Sequence, residues 1–236
     1  MHTTLLLLPG LMCDAVVWAP QVQALQDRAQ CVVPDYGPCN SIEAMARQVL
    51  ATAPTPTFAL AGHSMGGIVA LEIMRLAPQR VERLALLCTS ATSVAAGDAG
   101  AKEHAGRMAQ VQLAQTQGML ALGAQCLRGM VHPDAQTGPV FDALLGMVER
   151  CSPAQFAAHV HALLARPDAT AVLPTIACPT LVLCGREDRL IRHEQQHAMA
   201  QSVTGATLQV VEQCGHMATL ERPMEVSAAL WEWLSR

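Results

Sequence analysis

The sequence predicts an α/β protein: a mostly parallel sheet of about six strands, helices on both faces, and one all-helical insertion. Three observations carry this expectation. Six short apolar runs recur along the chain, continuous rather than alternating in polarity, as strands buried on both faces are. Segments of helical character lie between them, and such alternation argues for parallel strands joined by right-handed crossovers. One interval, from about Ser93 to Leu173, breaks the rhythm with no convincing strand and is too long for a single crossover.

In chain order, "LLLL" at 5–8 reads as the first strand, followed by helical sequence over 17–27. "CVV" at 31–33 is the second strand, with a helix over 41–52, and "FALAG" at 58–62 is the third, with a helix over 65–76. "LALLC" at 84–88 is the fourth. The interval that follows is rich in Ala, Gln, Leu and Met and is broken at Gly97, Gly118, Pro133, Pro139, Pro153 and Pro167, which reads as a set of helices over one end of the sheet. "TLVLCG" at 180–185, a helix over 193–202, "LQVVEQ" at 208–213 and a helix over 223–235 complete the sheet and its cover. The expected organisation is therefore a core built from residues 1–92 and 174–236, with residues 93–173 as a helical cap.

Composition narrows the function classes. Hydrophobic residues at 51% and charged residues at 14% exclude extended disorder. The net charge of −4, with Lys102 the single lysine and no basic block, lacks the footprint of a nucleic-acid binder. No apolar run approaches the ~20 residues of a membrane span. "TTLLLLPG" is too short for a signal-peptide core, so a cytoplasmic location is expected. The nine cysteines are scattered without a C-x-x-C pair, and Cys31, Cys88, Cys178 and Cys184 lie in or beside apolar runs. They read as reduced structural thiols, not as a disulfide framework or a zinc site.

The stretch "LAGHSMGGIV" at 60–69 places Ser64 directly after a predicted strand and directly before a predicted helix. Its frame, Gly62-His63-Ser64-Met65-Gly66, is G-x-S-x-G, the nucleophile-elbow pattern. The need is steric: a serine lifted above the strand ends brings the residues two before and two after it close together, and glycine removes the clash. The helix that starts at once points its first N–H groups at charge developing near Ser64.

"GHSMGG" resembles the elbow of the α/β-hydrolase superfamily, especially small carboxylesterases of the pimeloyl-carrier-protein methyl ester esterase type. That resemblance implies an acid after a later strand and a histidine near the C-terminus, in the order Ser, acid, His. His216 lies in "EQCGHMATLERP", past the last predicted strand, where the resemblance covers the Gly-His pair and the following Glu221 and Pro223. Among the other histidines, His63 points away if Ser64 points up, and His2 precedes the first strand. His104, His132, His159 and His161 fall in the insertion, and His193 and His197 on a helix or its approach. Asp188 lies in "LVLCGREDRL", matching the family's G-x-x-D. Glu187 is the neighbouring alternative, but the spacing from Gly185 favours Asp188.

For the oxyanion, the resemblance implies the N–H of Met65 and an N–H from the loop after the first strand. Family members commonly read His-Gly-x there. This chain has Pro9-Gly10-Leu11, so Leu11 is the carried-over donor, and Pro9 replaces a side chain that normally supports the loop. A second departure is the start of the chain: the antiparallel strand pair that usually opens the fold is expected to be absent.

The implied reaction is hydrolysis of a small to medium, largely apolar carboxylic ester through an acyl-enzyme, with Ser64, Asp188 and His216 as catalytic residues and no metal or organic cofactor. Met12, His63, Met130, Phe141 and Met217 are candidate substrate contacts, although the methionines can equally pack a helical cap. The insertion carries six acids against five bases, which gives no sign of an acidic carrier protein as partner. The expected partner is a small-molecule ester or acyl substrate. The same triad also serves C–C bond hydrolases, lactonases and acyltransferases, and a ligand-binding sensor on this scaffold is the alternative of a different class. Ser64 at the elbow disfavours an Asp-nucleophile enzyme.

Overall fold

Every one of the six apolar runs forms a strand, and all pair in parallel. The computed structural model describes residues 3–236, so His2 lies outside the described residues. The strands are β1 (Thr3–Leu8), β2 (Ala29–Val32), β3 (Phe58–His63), β4 (Val81–Leu87), β5 (Thr180–Gly185) and β6 (Thr207–Val211), in the spatial order β2-β1-β3-β4-β5-β6. Neighbours β2 and β3 lie on opposite sides of β1, so the chain reverses its direction of travel across the sheet there. The crevice beyond the strand ends at such a switch point is where open α/β sheets place ligands.

Alternate strand residues sort onto two faces, as a two-residue period requires. Leu5, Leu7, Ala59, Ala61, Ala85, Leu87, Leu181 and Leu183 pack one way, and Leu6, Leu8, Leu60, Leu84, Leu86 and Val182 pack the other. The first face is covered by α1 (Ala19–Leu25) and α10 (Pro223–Leu234), with Trp18, Leu25, Leu230 and Trp233 buried. The second is covered by α2 (Ile42–Thr52), α3 (Met65–Leu76) and α8 (His193–Gln201), through Ile42, Met45, Val69, Ile73 and Met199.

The interval without strands forms four helices between β4 and β5: α4 (Asp98–Gln117), α5 (Met119–Cys126), α6 (Pro139–Arg150) and α7 (Pro153–Leu164). Gly118, at φ 87°, separates α4 from α5. Pro139 and Pro153 each sit in a first turn, where a missing N–H costs nothing. Buried Val111, Leu122, Phe141, Leu144 and Met147 join the first face of the sheet in one continuous apolar cluster.

Two boundaries differ from expectation. Residues 17–27 are not one helix: Ala15–Trp18 form a 3-10 turn capped by the Asp14 side chain, and α1 starts afresh at Ala19 because Pro20 can donate no backbone hydrogen bond to a preceding turn. The last strand stops at Val211, two residues early, and Gln213 takes a positive φ of 52° on the way into the loop that carries His216. A short helix, α9 (Ala218–Glu221), follows that loop. Among the described residues no helix is long and apolar enough to cross a membrane.

Candidate active site

Ser64 occupies the single residue between β3 and α3, at φ 54° and ψ −120°. This is a strained conformation for a residue with a side chain, and it persists only where its surroundings fix it. The Ser64 N–H donates to the Leu87 carbonyl at 2.9 Å, and the Thr89 hydroxyl donates to the Ser64 carbonyl at 2.7 Å. Gln196 in turn donates through its side-chain amide to the Thr89 carbonyl. The glycine frame is a clearance requirement: a Cβ at Gly62 would collide with the Gly66 carbonyl, and one at Gly66 with the Leu8 carbonyl.

Asp188 and His216 reach Ser64 from the ends of β5 and β6. His216 Nε2 lies 2.9 Å from Ser64 Oγ, and His216 Nδ1 lies 2.8 Å from Asp188 Oδ2. The second carboxylate oxygen of Asp188 accepts the N–H groups of Leu190 and Ile191 at 2.9 and 3.0 Å. Burial pushes the Asp188 carboxyl up, but the electrostatic pull and hydrogen bond of the adjacent His216 ring, with those two N–H groups, outweigh it and hold the group below its ordinary value. Asp188 is therefore an anion at neutral pH, and its contact fixes a proton on Nδ1 and leaves Nε2 free to accept from Ser64. Glu187, the alternative acid, faces elsewhere and accepts the Cys214 N–H at 2.8 Å.

The loop bearing His216 is tied down on three sides. Its N–H donates to the Met130 carbonyl at 2.6 Å, and its carbonyl oxygen lies 2.8 Å from His63 Nε2. Buried Glu221 accepts N–H groups from Gly215 (3.0 Å), Met217 (2.9 Å) and His132 (2.7 Å), which joins this loop to the segment after α5. Burial raises the Glu221 carboxyl, and the three N–H groups offset part of that rise. Glu221 is part of the sequence resemblance around His216, but nothing in the linear sequence points to this anchoring.

The loop after β1 passes beside the serine, since a Cβ on Gly10 would come 3.2 Å from Ser64 Cβ. Tyr36, buried and with its phenol pushed well above its ordinary value by burial, donates to the Pro9 carbonyl at 3.2 Å. It supports the loop from outside the residues where family members carry a histidine. Among the described residues neither the Leu11 nor the Met65 N–H has a backbone acceptor. Of these two N–H groups, that of Met65 lies directly after Ser64 and that of Leu11 directly after Gly10.

A cavity of about 380 Å³ opens on Ser64 and His216, with Met65, Ile68, Leu163, Leu190 and Ile191 on its apolar walls and Glu103, Arg107 and Arg166 among its polar ones. None of the five candidate substrate contacts lines it. Met12, at φ 62°, faces a separate cavity of about 240 Å³ with Tyr36, Met147 and His159. His63 is buried beneath the site with its ring edge-on to Trp18. Phe141 packs in the helical insertion under the Arg128 guanidinium, Met217 is buried beside Glu221, and Met130 offers its carbonyl to His216. The residues that do line the cavity come from α3, α4, α7, α8 and the loops after β4, β5 and β6, whose convergence only the fold reveals.

One trio of metal-ligating groups gathers among the described residues: Cys88, Asp188 and His216, with ligand atoms within 4.8 Å of one another. It suits a metal poorly. Asp188 and His216 already bind each other, and burial with the Asp188 charge raises the Cys88 thiol well above its ordinary value, so it stays protonated.

The sequence profile of the "Alpha/beta hydrolase family" matches residues 5–230. The chain is similar to "Putative carbamate hydrolase RutD" of Stutzerimonas stutzeri (strain A1501), 26% identical over 92% of this chain and 86% of the relative. It is also similar to the pimeloyl-[acyl-carrier protein] methyl ester esterase of Aromatoleum aromaticum, 29% identical over 84% of this chain and 80% of the relative. Among solved structures, a thermophilic esterase from Thermogutta terrifontis superposes with a TM-score of 0.87 at 26% identity, covering 99% of this chain and 91% of its own.

Proposed function

The chain is an enzyme of the alpha/beta hydrolase family, and on that premise we propose that it cleaves a small to medium carboxylic ester through an acyl-enzyme on Ser64. The observation that carries this reading is the unbroken hydrogen-bond chain from Ser64 Oγ through His216 to Asp188, at 2.9 and 2.8 Å. In the proposed reaction His216 Nε2 takes the hydroxyl proton as Ser64 Oγ attacks the ester carbonyl, and Asp188 stabilises the imidazolium. The N–H groups of Met65 and Leu11 receive the oxyanion. His216 then returns its proton to the departing alkoxide, and the alcohol leaves. Water, deprotonated by the same imidazole, attacks the acyl-enzyme and releases the acid and free Ser64.

In this reading residues 93–173 act as a cap, and the apolar walls around Ile68, Leu163 and Ile191 hold the acyl chain. Ser64→Ala is expected to abolish turnover of p-nitrophenyl and methyl esters while leaving the folded state intact. Retention of near wild-type rates by that variant would overturn the proposal. Carbamate cleavage by the same groups is the second reading, favoured by the Stutzerimonas stutzeri relative. Comparing an ester with the carbamate of the same alcohol separates the two, since the ester should have the higher kcat/KM if the first reading is right.

A further inference from the structure

The cavity on Ser64 contains three charged side chains besides the triad, and they are not equivalent. Arg166 is fully satisfied. Its guanidinium grips Glu103 with two prongs, at 2.7 and 3.2 Å, and donates to the carbonyls of Thr92 (3.0 Å), Ser93 (3.4 Å) and Leu163 (3.0 Å). Both Glu103 oxygens are thereby engaged, and the Glu103 carboxyl is held below its ordinary value by that hydrogen-bonded pairing. Arg107, one turn further along α4 on the same face, makes no hydrogen bond or ion pair with any described residue. It is half-buried, and the cost of burial lowers its guanidinium from the ordinary value while Glu103 acts in the other direction.

Glu103 and Arg166 cancel, so the cavity wall carries one uncompensated positive charge, placed in the same chamber as the nucleophile. A half-buried cation without a protein partner has its donors open to a ligand, and a planar guanidinium with free donors suits a carboxylate that binds by two parallel hydrogen bonds. We propose that Arg107 recognises a carboxylate on the substrate, so that the preferred ester is a half-ester of a dicarboxylic acid. Its ester carbonyl sits at Ser64, its other end sits at Arg107, and the apolar walls hold the methylenes between. This deepens the proposed function and rests on Ser64 being the reacting residue. Hydrolysis adds water across the acyl–oxygen bond and yields the diacid and the free alcohol.

The test measures binding to the full chain carrying Ser64→Ala, which cannot turn the ligand over. Monomethyl adipate is compared calorimetrically with methyl hexanoate, a neutral ester of the same acyl length. The half-ester is expected to bind about tenfold or more tightly, as one charge-assisted pair contributes. Adding Arg107→Gln should bring the two affinities together, and Arg107→Lys should keep part of the preference. Equal affinity in the Ser64→Ala chain, which needs no change at Arg107, overturns the proposal, as does a preference that Arg107→Gln leaves undiminished. Wild-type turnover is read in parallel. Arginine-dependent binding without hydrolysis of any ester upholds the anion site and defeats the esterase reading. Hydrolysis of neutral esters without such a preference does the opposite.

Discussion

Ser64 and its neighbour His63 divide the site's work by pointing in opposite directions from one strand end. The ring of His63 has no access to the cavity. It braces the His216 carbonyl through Nε2, and its buried Nδ1 has no partner among the described residues. Burial first, and then the nearby His216, hold His63 at about 4, so it is neutral at pH 7. A histidine whose folded value lies below its unfolded one adds stability at high pH and loses it as pH falls from about 6.5 towards 4. That depression corresponds to about 3 kcal/mol. Urea unfolding at pH 7 and pH 4 should therefore show a loss of that order, and His63→Gln, which can still donate to His216, should flatten the profile by the same amount. At Asp188, replacement by Asn should leave the fold intact and lower kcat by about ten-thousandfold, because the amide cannot hold the required tautomer or stabilise the imidazolium. Circular dichroism and ester hydrolysis together check this. The turn at Ser64 is legible in the sequence because backbone geometry enforces it and writes glycines at fixed spacing. The settings of Arg107 and Glu221 are not, because they depend on groups brought close from distant parts of the chain.

At the scale of elements, the β3–α3 elbow and the β6–α9 loop do the positioning. Gly66→Ala would force a Cβ against the Leu8 carbonyl, a backbone atom that cannot step aside. It should cost about 1–3 kcal/mol, seen as a lower denaturant midpoint with unchanged slope, together with a fall in kcat. Glu221→Ala would leave three N–H groups of Gly215, Met217 and His132 without their acceptor. A loss of roughly 2–4 kcal/mol is expected, with kcat falling more than KM rises, since the loop that aims His216 is loosened while the cavity walls remain. A rise in KM alone would assign Glu221 to substrate binding instead. All six strands are legible because a buried parallel strand needs a continuous apolar run, and "LLLL" or "TLVLCG" has no competing reading. The break before α1 is less so: Pro20 both permits a helix start and ends the preceding turn, and apolar periodicity alone does not separate the two.

For the whole molecule, the switch point between β2 and β3 explains why the loop after β1 and the serine after β3 meet at one rim. The helical insertion shares one apolar cluster with the sheet, so it should not melt separately. Calorimetry is expected to give one transition with equal calorimetric and van't Hoff enthalpies, and two resolved transitions would mark α4–α7 as an independent unit. The insertion's existence is legible as a gap in the strand rhythm, but which of its residues face the cavity on Ser64 is not. Met119 and Met147, apolar and adaptable, are buried in its interior, while Arg107, counted in the sequence only towards a balanced charge, turns to the cavity. The proposed reaction requires the fold to make one hydroxyl reactive. Fluorophosphonate treatment of the native chain, followed by peptide mass mapping, tests it most directly. Stoichiometric phosphonylation at Ser64, abolished by His216→Ala, is the expected result, and an unmodified Ser64 in the folded chain would contradict the account.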